Sequence, residues 1–190
     1  MRPTLRLLAL LPPLLLCACE APLSCDLSDP AAAWLTLGDG TDGFVPIDDG
    51  DTLLVERGSQ GGMHVIVAAR TAAIHPGQPT YEDGLRAGDL PVVELGIDDA
   101  EGGQLNAEHR QPRVLQRRES DYELDARNLP FRHFAQLPDN WTELDYADVE
   151  ADMEQAEFRL WMTLEDSCGT TVTAERTVRL DFPERNPDVG

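Results

Sequence analysis

The side chains best suited to chemistry in this sequence are carboxylates gathered in three turns. Hard cations such as Ca²⁺ prefer several oxygen ligands, which crowded acidic residues could supply. The spacing does not match the D-x-D-x-D-G loop with its distal Glu, and Asp is common in turns because its side chain bonds nearby backbone. A calcium site and ordinary solvated turns are therefore both open. The residues are Asp39, Asp42, Asp48, Asp49 and Asp51 in two neighbouring turns, and Asp98, Asp99 and Glu101 in a third.

His64 is the histidine that most invites a functional assignment, because it follows Gly61 and Gly62 at the start of an apolar stretch. We expect its ring to bond backbone in the adjoining loop and so fix the glycine turn. A metal site would need partners, and the chain has no H-x-H or H-E-x-x-H spacing. It also has no G-x-S-x-G elbow, phosphate loop or dinucleotide fingerprint. We therefore predict no catalytic residue, name no metal ligand and no cofactor, and expect a protein that is not an enzyme. The other histidines are His75, His109 and His133.

Trp161 lies on the polar side of a strongly alternating stretch, residues 158–165. An exposed Trp could stack on a sugar ring or on a partner protein. More often a loop covers such a ring, and we expect the acidic segment 138–155 to cover this one. One helical turn is predicted within that segment, near Val149–Gln155.

The N-terminal residues have the layout of a secretory signal peptide. Arg2 and Arg6 supply positive charge, an apolar run covers Leu7 to Leu16, and small residues follow. The run is shorter than the roughly 20 residues that cross a bilayer as a helix. We predict a cleaved leader over residues 1–18 rather than a membrane anchor or a buried helix.

The end of this leader, Leu16-Cys17-Ala18-Cys19, resembles a bacterial lipobox. The resemblance implies that diacylglycerol is attached to the Cys19 sulfur and that cleavage occurs before Cys19. Cys17 is the poorer candidate, because bulky Leu16 would then stand at the −1 position. An ordinary signal peptide that happens to contain cysteines is the alternative. The lipobox implies a membrane partner reached through the N-terminal lipid, and a place in the cell envelope on the outer membrane or the periplasmic face of a membrane.

Of the four cysteines in the chain, the predicted processing leaves Cys25 and Cys168. Two leftover thiols in an oxidising envelope most simply form a disulfide. The chain-entropy treatment gives such a long loop roughly 5 kcal/mol of stabilisation as an upper value. The bridge would fasten the start of the domain to its C-terminal strand pair.

The composition is strongly acidic, with 35 Asp and Glu residues against 15 basic ones and a formal net charge of −20. This balance argues against binding nucleic acid and against docking on anionic lipid head groups. It suits solubility, cations or basic partners, and a solvated acidic surface is the simplest interpretation. It does not specify a protein or glycan partner.

Apolar alternation marks the strands. The stretch Met63–Ala69 is apolar at both parities, which is typical of a central strand covered on both faces. Residues 158–182 are predicted to form a hairpin that turns at Asp166–Gly169. Arg176 falls on the apolar side of its second strand, which predicts a bulge near Glu175–Arg176 or an edge position where its head reaches water. Further strands are predicted at 31–38, 44–47, 53–55 and 93–97, with short pieces between 104 and 137.

Short strands with regularly spaced turns, and no long stretch of helical period, predict an all-β fold. We predict an immunoglobulin-like antiparallel β-sandwich over residues 31–183, because the terminal hairpin resembles the last two strands of such domains. Residues 19–30 form a tether, and residues 184–190 form a flexible tail.

The stretch Arg57–Val65, followed by Ala69-Arg70, resembles a motif of uncharacterised predicted lipoproteins from myxobacteria and related bacteria. Those chains share a lipobox leader, an early acidic-glycine turn, a Gln-Gly-Gly-aromatic-His-Val strand and a closing Glu-Arg-Thr-Val strand. Here the closing element is Glu175–Val178, and Met63 replaces the usual aromatic residue. The resemblance implies location and architecture, and supplies no chemistry.

These observations favour a lipid-anchored envelope lipoprotein that acts as a non-enzymatic binding or structural module. The alternative is a calcium- or carbohydrate-binding surface protein that uses the Asp-rich turns or Trp161.

Overall fold

The computed structural model of this chain describes residues 25–57, 63–77, 90–103, 109–130, 150–151 and 153–182. Within these ranges the protein is all-β, which confirms the predicted class. Residues 150, 151, 153 and 154 are helical, which confirms the predicted helical turn. The strands are β1 Trp34–Asp39, β2 Val45–Pro46, β3 Thr52–Leu54, β4 Glu56–Arg57, β5 Met63–Ala72, β6 Val92–Asp98, β7 His109–Pro112, β8 Leu115–Arg117, β9 Tyr122–Pro130, β10 Phe158–Glu165 and β11 Thr171–Asp181.

The first sheet has the strand order β2-β1-β5-β9-β8, and β4 also pairs with β5. The strand β5 therefore lies in the middle, as its apolar sequence predicted. One face of β5 is fully buried, but His64, Ile66 and Arg70 on the other face are only half-buried. The expectation that both faces are covered is wrong here, because this second face is the outer surface of the sheet. Ala68 is buried there, with strands paired on both sides of it.

The second sheet has the order β3-β11-β10-β6-β7, and its pairs are antiparallel except for β3 beside β11. The predicted hairpin is present as β10 and β11. Their register runs without a shift from Phe158 opposite Val178 to Glu165 opposite Thr171. The alternation of apolar residues thus predicted β10, β11 and their inward-facing residues correctly.

Arg176 sits on the inward side of β11 with no bulge, so the first of the two predicted alternatives is wrong. Its Nε donates to the carbonyl of Ile47 at 2.9 Å, and its Nη1 donates to the carbonyl of Glu175 at 2.7 Å. The strand β3 pairs only with Arg179–Asp181, which leaves the edge of β11 beside Arg176 to the turn after Ile47. The guanidinium is therefore satisfied by backbone, and the edge-position alternative fits this geometry better.

The buried faces of the two sheets form one contiguous core, the arrangement of a β-sandwich. Leu37 and Val65 from the first sheet, and Leu160, Met162 and Leu164 from the second, are fully inaccessible to solvent. Each such side chain contributes about 1.5–3 kcal/mol by leaving water.

A disulfide joins Cys25 to Cys168 across 143 residues, with 5.8 Å between the two Cα atoms, as predicted. Between Cys25 and β1 the chain forms a turn rather than the start of a strand. The amides of Ala32 and Ala33 donate to the carbonyl of Asp29, and the Asp29 amide donates to the carbonyl of Ala73. The first strand therefore begins at Trp34, three residues later than the sequence predicted.

The region predicted as several short pieces between residues 104 and 137 contains β7, β8 and β9. The last of these is one nine-residue strand rather than separate pieces. It pairs with β5 through a register shift between Val67 and Ala69, and this irregularity interrupts the alternation that would have marked a single strand.

Candidate functional site

Trp161 is the centre of a structured patch on the outer face of the second sheet. It lies in β10 opposite Gly96 of β6 and Glu175 of β11. A Cβ atom at Gly96 would lie 2.5 Å from Cε2 and Cζ2 of the indole and 2.7 Å from its Nε1. Three adjacent ring atoms are almost equally close, so the face of the indole covers the glycine backbone. Only glycine leaves room for the ring in this position.

Asp98 fixes the edge of the indole. This carboxylate is 6% exposed, and its Oδ2 accepts hydrogen bonds from Trp161 Nε1 at 3.0 Å and from Arg159 Nη2 at 2.6 Å. The Nη1 of Arg159 also lies 3.7 Å from a carboxylate oxygen of Glu175. The hydrogen bond to Asp98 raises the pKa of the Arg159 guanidinium, so this charge is permanent. We call Gly96, Asp98, Arg159, Trp161 and Glu175 the Trp161 patch.

An open cleft adjoins this patch at the end of the sheet. Two neighbouring depressions of about 640 and 520 Å³ share the walls formed by the β6–β7 turn, Asp99 to Glu101, and by Glu157. Arg159 lines the smaller depression and Arg179 the larger one. Arg159 is the residue of the Trp161 patch that lines the cleft, so a polar ligand in the cleft could reach the patch through this guanidinium.

The Asp residues of the acidic turns are engaged in closing those turns. Oδ1 of Asp39 accepts the Thr41 amide at 2.9 Å and its hydroxyl at 2.8 Å. Oδ1 of Asp99 accepts the amides of Glu101 and Gly103. These are the local backbone bonds that favour Asp in turns.

The acidic turn at Asp48–Asp51 is attached to the neighbouring sheet. Oδ2 of Asp51 accepts the Asp48 amide at 2.8 Å, and Oδ1 of Asp49 accepts the Thr177 amide of β11 at 2.8 Å. Across the described part of the chain, no three metal-binding side chains form a group that could hold an ion.

His64 pairs with a carboxylate on the neighbouring strand. Its Nε2 lies 3.6 Å from Oε2 of Glu56, and its side chain is 15% exposed. Gly61 and Gly62, whose turn the ring was expected to fix, lie outside the described residues. His133 also lies outside them, and His109 is in β7. The histidines are thus not brought together where the structure describes them.

Asp166 organises a junction that sequence analysis missed. This carboxylate is 4% exposed and accepts four hydrogen bonds. Its Oδ1 binds the amides of Cys168 and Thr170, while its Oδ2 binds the Ser28 hydroxyl at 2.7 Å and the His75 amide at 2.8 Å. We call these five residues the Asp166 junction. The sequence marked Asp166 only as a turn residue, because its partners Ser28 and His75 are 138 and 91 positions away.

The junction and the disulfide act on the same two segments. Ser28 follows Cys25 by three residues, and Cys168 belongs to both the disulfide and the junction. The hydroxyls of Ser28 and Thr170 also form a short hydrogen bond with each other. The N-terminal segment is therefore fixed to the β10–β11 turn by one covalent bond and several polar contacts.

The outer face of the first sheet carries a second aromatic ring on a glycine. A Cβ at Gly38 would lie 2.5 Å from the Phe44 ring. The guanidinium of Arg70 lies over that ring, 4.5 Å from its centre, and its Nε donates to Glu123 at 3.0 Å. Arg118 donates to the other Glu123 oxygen at 2.6 Å. We call these five residues the Phe44 patch.

The pKa of Glu123 is lowered, first by the hydrogen bond from Arg118 and then by Arg70, against an opposing effect of burial. Its carboxylate is therefore the charge on which both arginines of the Phe44 patch depend.

The sequence matches no protein-family model, and no curated protein is significantly similar to it. The resemblance to myxobacterial lipoproteins therefore stays a prediction. Among the described residues, no helix has the length and apolar character needed to span a membrane. The predicted acylation site Cys19, the ring of Trp141 and most of the predicted cover for Trp161 lie outside the described residues.

Proposed function

We propose that this chain is an exported lipoprotein, held in the cell envelope by diacylglycerol on Cys19, whose immunoglobulin-like β-sandwich is a non-enzymatic binding or structural module. The single observation that carries the proposal is the Cys25–Cys168 disulfide. Disulfides persist in oxidising compartments and are rare where glutathione keeps thiols reduced. The bridge therefore supports export, which the leader sequence predicted independently.

The placement of the bridge supports a firm attachment of the tether to the domain. Cys25 is six residues after Cys19, so the disulfide fastens the chain to the folded domain almost immediately after the proposed lipid. The buried Asp166 junction strengthens the same point, since hydrogen bonds to a charged acceptor contribute about 1.5–3 kcal/mol each. An anchor at one end of the chain holds the domain most closely when the adjoining segment cannot detach from the folded domain.

Mass spectrometry of the mature protein tests the proposal. The full chain is expressed in a bacterium with a lipoprotein-processing envelope and labelled with a clickable palmitate analogue. We expect an N-terminal Cys19 that carries a thioether-linked diacylglycerol, and a disulfide-linked peptide that contains Cys25 and Cys168. Cys19→Ala should abolish the label and the membrane association.

Cys17→Ala is the matched control, because it removes a neighbouring cysteine that the proposal places in the discarded leader. Its label should equal that of the wild type. A full-length, unlabelled chain in the cytosol of wild-type cells would overturn the proposal.

Carbohydrate binding at the Trp161 patch is a second candidate function. The observation that favours it is the rigid indole, whose face rests on Gly96 and whose Nε1 is held by Asp98. Sugars stack their apolar faces on such rings and donate hydroxyls to adjacent carboxylates. Calcium has less support, because the oxygens of Asp39, Asp51 and Asp99 already accept backbone hydrogen bonds.

A glycan array followed by calorimetric titration tests the second candidate. We expect Trp161→Ala to remove binding to any glycan that the wild type retains, and Trp34→Ala, in the other sheet, to preserve it. Equal binding by both variants, or no glycan bound by the wild type, would refute this candidate.

A further inference from the structure

The sandwich has two distinct ends, and the N-terminal segment leaves from one of them. We call this the tether end: it contains Cys25–Ala33, the segment after β5 and the β10–β11 turn. These parts are joined by the disulfide, by the Asp166 junction and by the bond from the Asp29 amide to Ala73. The opposite, far end contains the acidic turn after β1 and the β6–β7 turn, which lines the cleft beside Arg159.

Two large apolar side chains are exposed at the tether end. Leu27, between Cys25 and Ser28, is 56% exposed, and Trp34, the first residue of β1, is 41% exposed. Trp34 pairs with Ala72 at the last position of β5, which places it beside the turn that holds the tether. Neither side chain contributes to the buried core.

The length of the connection brings these residues close to the membrane. Six residue steps separate Cys19 from Cys25, and a fully extended chain covers at most about 3.6 Å per step, or ~22 Å in all. The disulfide prevents any lengthening of this connection by unravelling after Cys25. The eleven residues of β11, at about 3.3 Å each, place the far end roughly 35 Å beyond the tether end.

We propose that the tether end docks directly on the bilayer, with Leu27 and Trp34 entering the interfacial layer. The inference rests on the proposed acylation of Cys19. Trp is enriched at membrane interfaces because its ring is apolar and its N–H is polar. Leu27, exposed at the same end of the sandwich, adds apolar area. An acyl chain and a shallow protein contact together hold a domain in one orientation, which neither does alone.

The net charge of the chain determines which lipid suits this contact. Asp26 and Asp29 lie close to Leu27 in the sequence. Arg117 and Arg118 lie at the same end of the first sheet, but the whole chain has a formal net charge of −20. Anionic head groups would repel a protein of this charge. The partner is therefore a zwitterionic surface, such as phosphatidylethanolamine or phosphatidylcholine.

Docking in this orientation turns the other end outward. The cleft beside Arg159 and the β6–β7 turn would face away from the membrane, where a soluble or surface-bound ligand can reach them. The same contact keeps the acidic far-end turns away from the lipid. Val45 and Leu54, the other two large apolar side chains exposed within the described ranges, are at the far end and would not touch the bilayer.

Quenching of tryptophan fluorescence by brominated lipid tests the inference. The acylated full chain is purified from membranes and reconstituted into phosphatidylcholine vesicles that carry bromine close to the head groups. We expect clear quenching in the wild type, loss of most of it in Trp34→Phe, and retention in Trp161→Phe. Leu27→Ser should weaken the quenching of Trp34, whereas the far-end control Leu54→Ser should leave it unchanged. Vesicles rich in phosphatidylglycerol should quench less.

Two outcomes separate this inference from the proposed function. Mass spectrometry of the same preparation shows whether Cys19 carries diacylglycerol; its absence overturns the lipoprotein assignment and the docking with it. An acylated protein in which Trp34→Phe quenches like the wild type overturns the docking alone, because the domain then stands away from the bilayer on its tether. Thermal melting of each variant verifies that these exposed substitutions preserve the fold.

Discussion

The Phe44 patch and the Trp161 patch use the same local device on opposite faces of the molecule. Each places an aromatic ring on a glycine of the adjacent strand and sets an arginine–carboxylate pair beside it. The glycine is required in both, because a Cβ would come within 2.5 Å of the ring. The outer face of each sheet thereby gains an apolar contact that its exposed position would otherwise lack.

The two patches differ in how the ring is held. Arg70 lies over the ring of Phe44, and within the described residues this is the only cation–π contact. In the Trp161 patch the arginine turns to Asp98 instead, and the same carboxylate holds the indole by its Nε1. The Phe44 ring is covered by a guanidinium, whereas the indole is held by its edge and its neighbour Arg159 lines the cleft. The two rings are held differently because Trp has an N–H group that a carboxylate can accept, whereas Phe has none.

Gly38→Ala should break the Phe44 patch with the largest effect. The added Cβ meets the Phe44 ring at 2.5 Å and also the backbone carbonyl of Val45 at 2.9 Å. A backbone oxygen cannot rotate away as a side chain can, so β1 and β2 would have to separate. We expect a loss of unfolding free energy near the upper end of the roughly 1–3 kcal/mol typical of overpacking. Urea denaturation measures it, and a loss below about 0.5 kcal/mol would contradict this packing.

Gly96→Ala should disturb the Trp161 patch with a smaller effect, about 1–2 kcal/mol. The three atoms nearest to the added Cβ all belong to the indole, and a side chain can rotate away where a backbone atom cannot. Trp161 emission should shift to longer wavelength as the ring loses Asp98. Adding Trp161→Ala removes the clash, so the double variant should be less destabilised than the sum of the two single variants. Additive effects would show that the ring does not rest on this glycine.

Which parts of these patches could be predicted depends on the range of the interactions. Alternation within β10 placed Trp161 on the outer face, and apolar residues at both parities placed β5 in the middle of its sheet, because both patterns are local signals. The ring–glycine contacts depend on which residues face each other across strands. That register is set by the whole sheet and leaves no mark beside Gly96 or Gly38.

Longer-range pairings show the same limit. The Cys25–Cys168 bridge was predictable because the predicted processing left two cysteines to pair. Asp166 and Arg176 were not, because Asp and Arg are numerous and the partners, Ser28 and the Ile47 carbonyl, are more than 120 residues away. The bulge alternative for Arg176 failed for this reason: a charged residue on an inward face suggested a bulge, but a distant carbonyl accepts its hydrogen bond.

Glu123→Gln should sharpen the comparison through pH. The depressed pKa of Glu123 means that its ion pairs stabilise the fold above its ordinary value of 4.5, and that this contribution is lost as the pH falls through the lower folded value. We expect the free energy of unfolding of the wild type to exceed that of the variant by about 1 kcal/mol at neutral pH, as for a partly buried ion pair. The gap should close below pH 4.5. Chemical denaturation at several pH values measures it, and a gap that does not depend on pH would show that the charge of Glu123 is not involved.

Arg159→Ala should have the smallest effect on stability and the most specific effect on the Trp161 patch. The Arg159 side chain is 56% exposed, so solvent and salt screen its pair with Asp98. Asp98, however, is buried and accepts hydrogen bonds from both Arg159 and Trp161. Without the Arg159 guanidinium, its remaining bond to Trp161 Nε1 should shorten rather than break. We therefore expect almost unchanged denaturation but altered Trp161 fluorescence and weaker binding of any ligand that enters the adjoining cleft.

Arg70→Ala on the other face is the matched comparison: it should uncover Phe44 and change stability more than Arg159→Ala does, because there the arginine, and not a carboxylate, covers the ring.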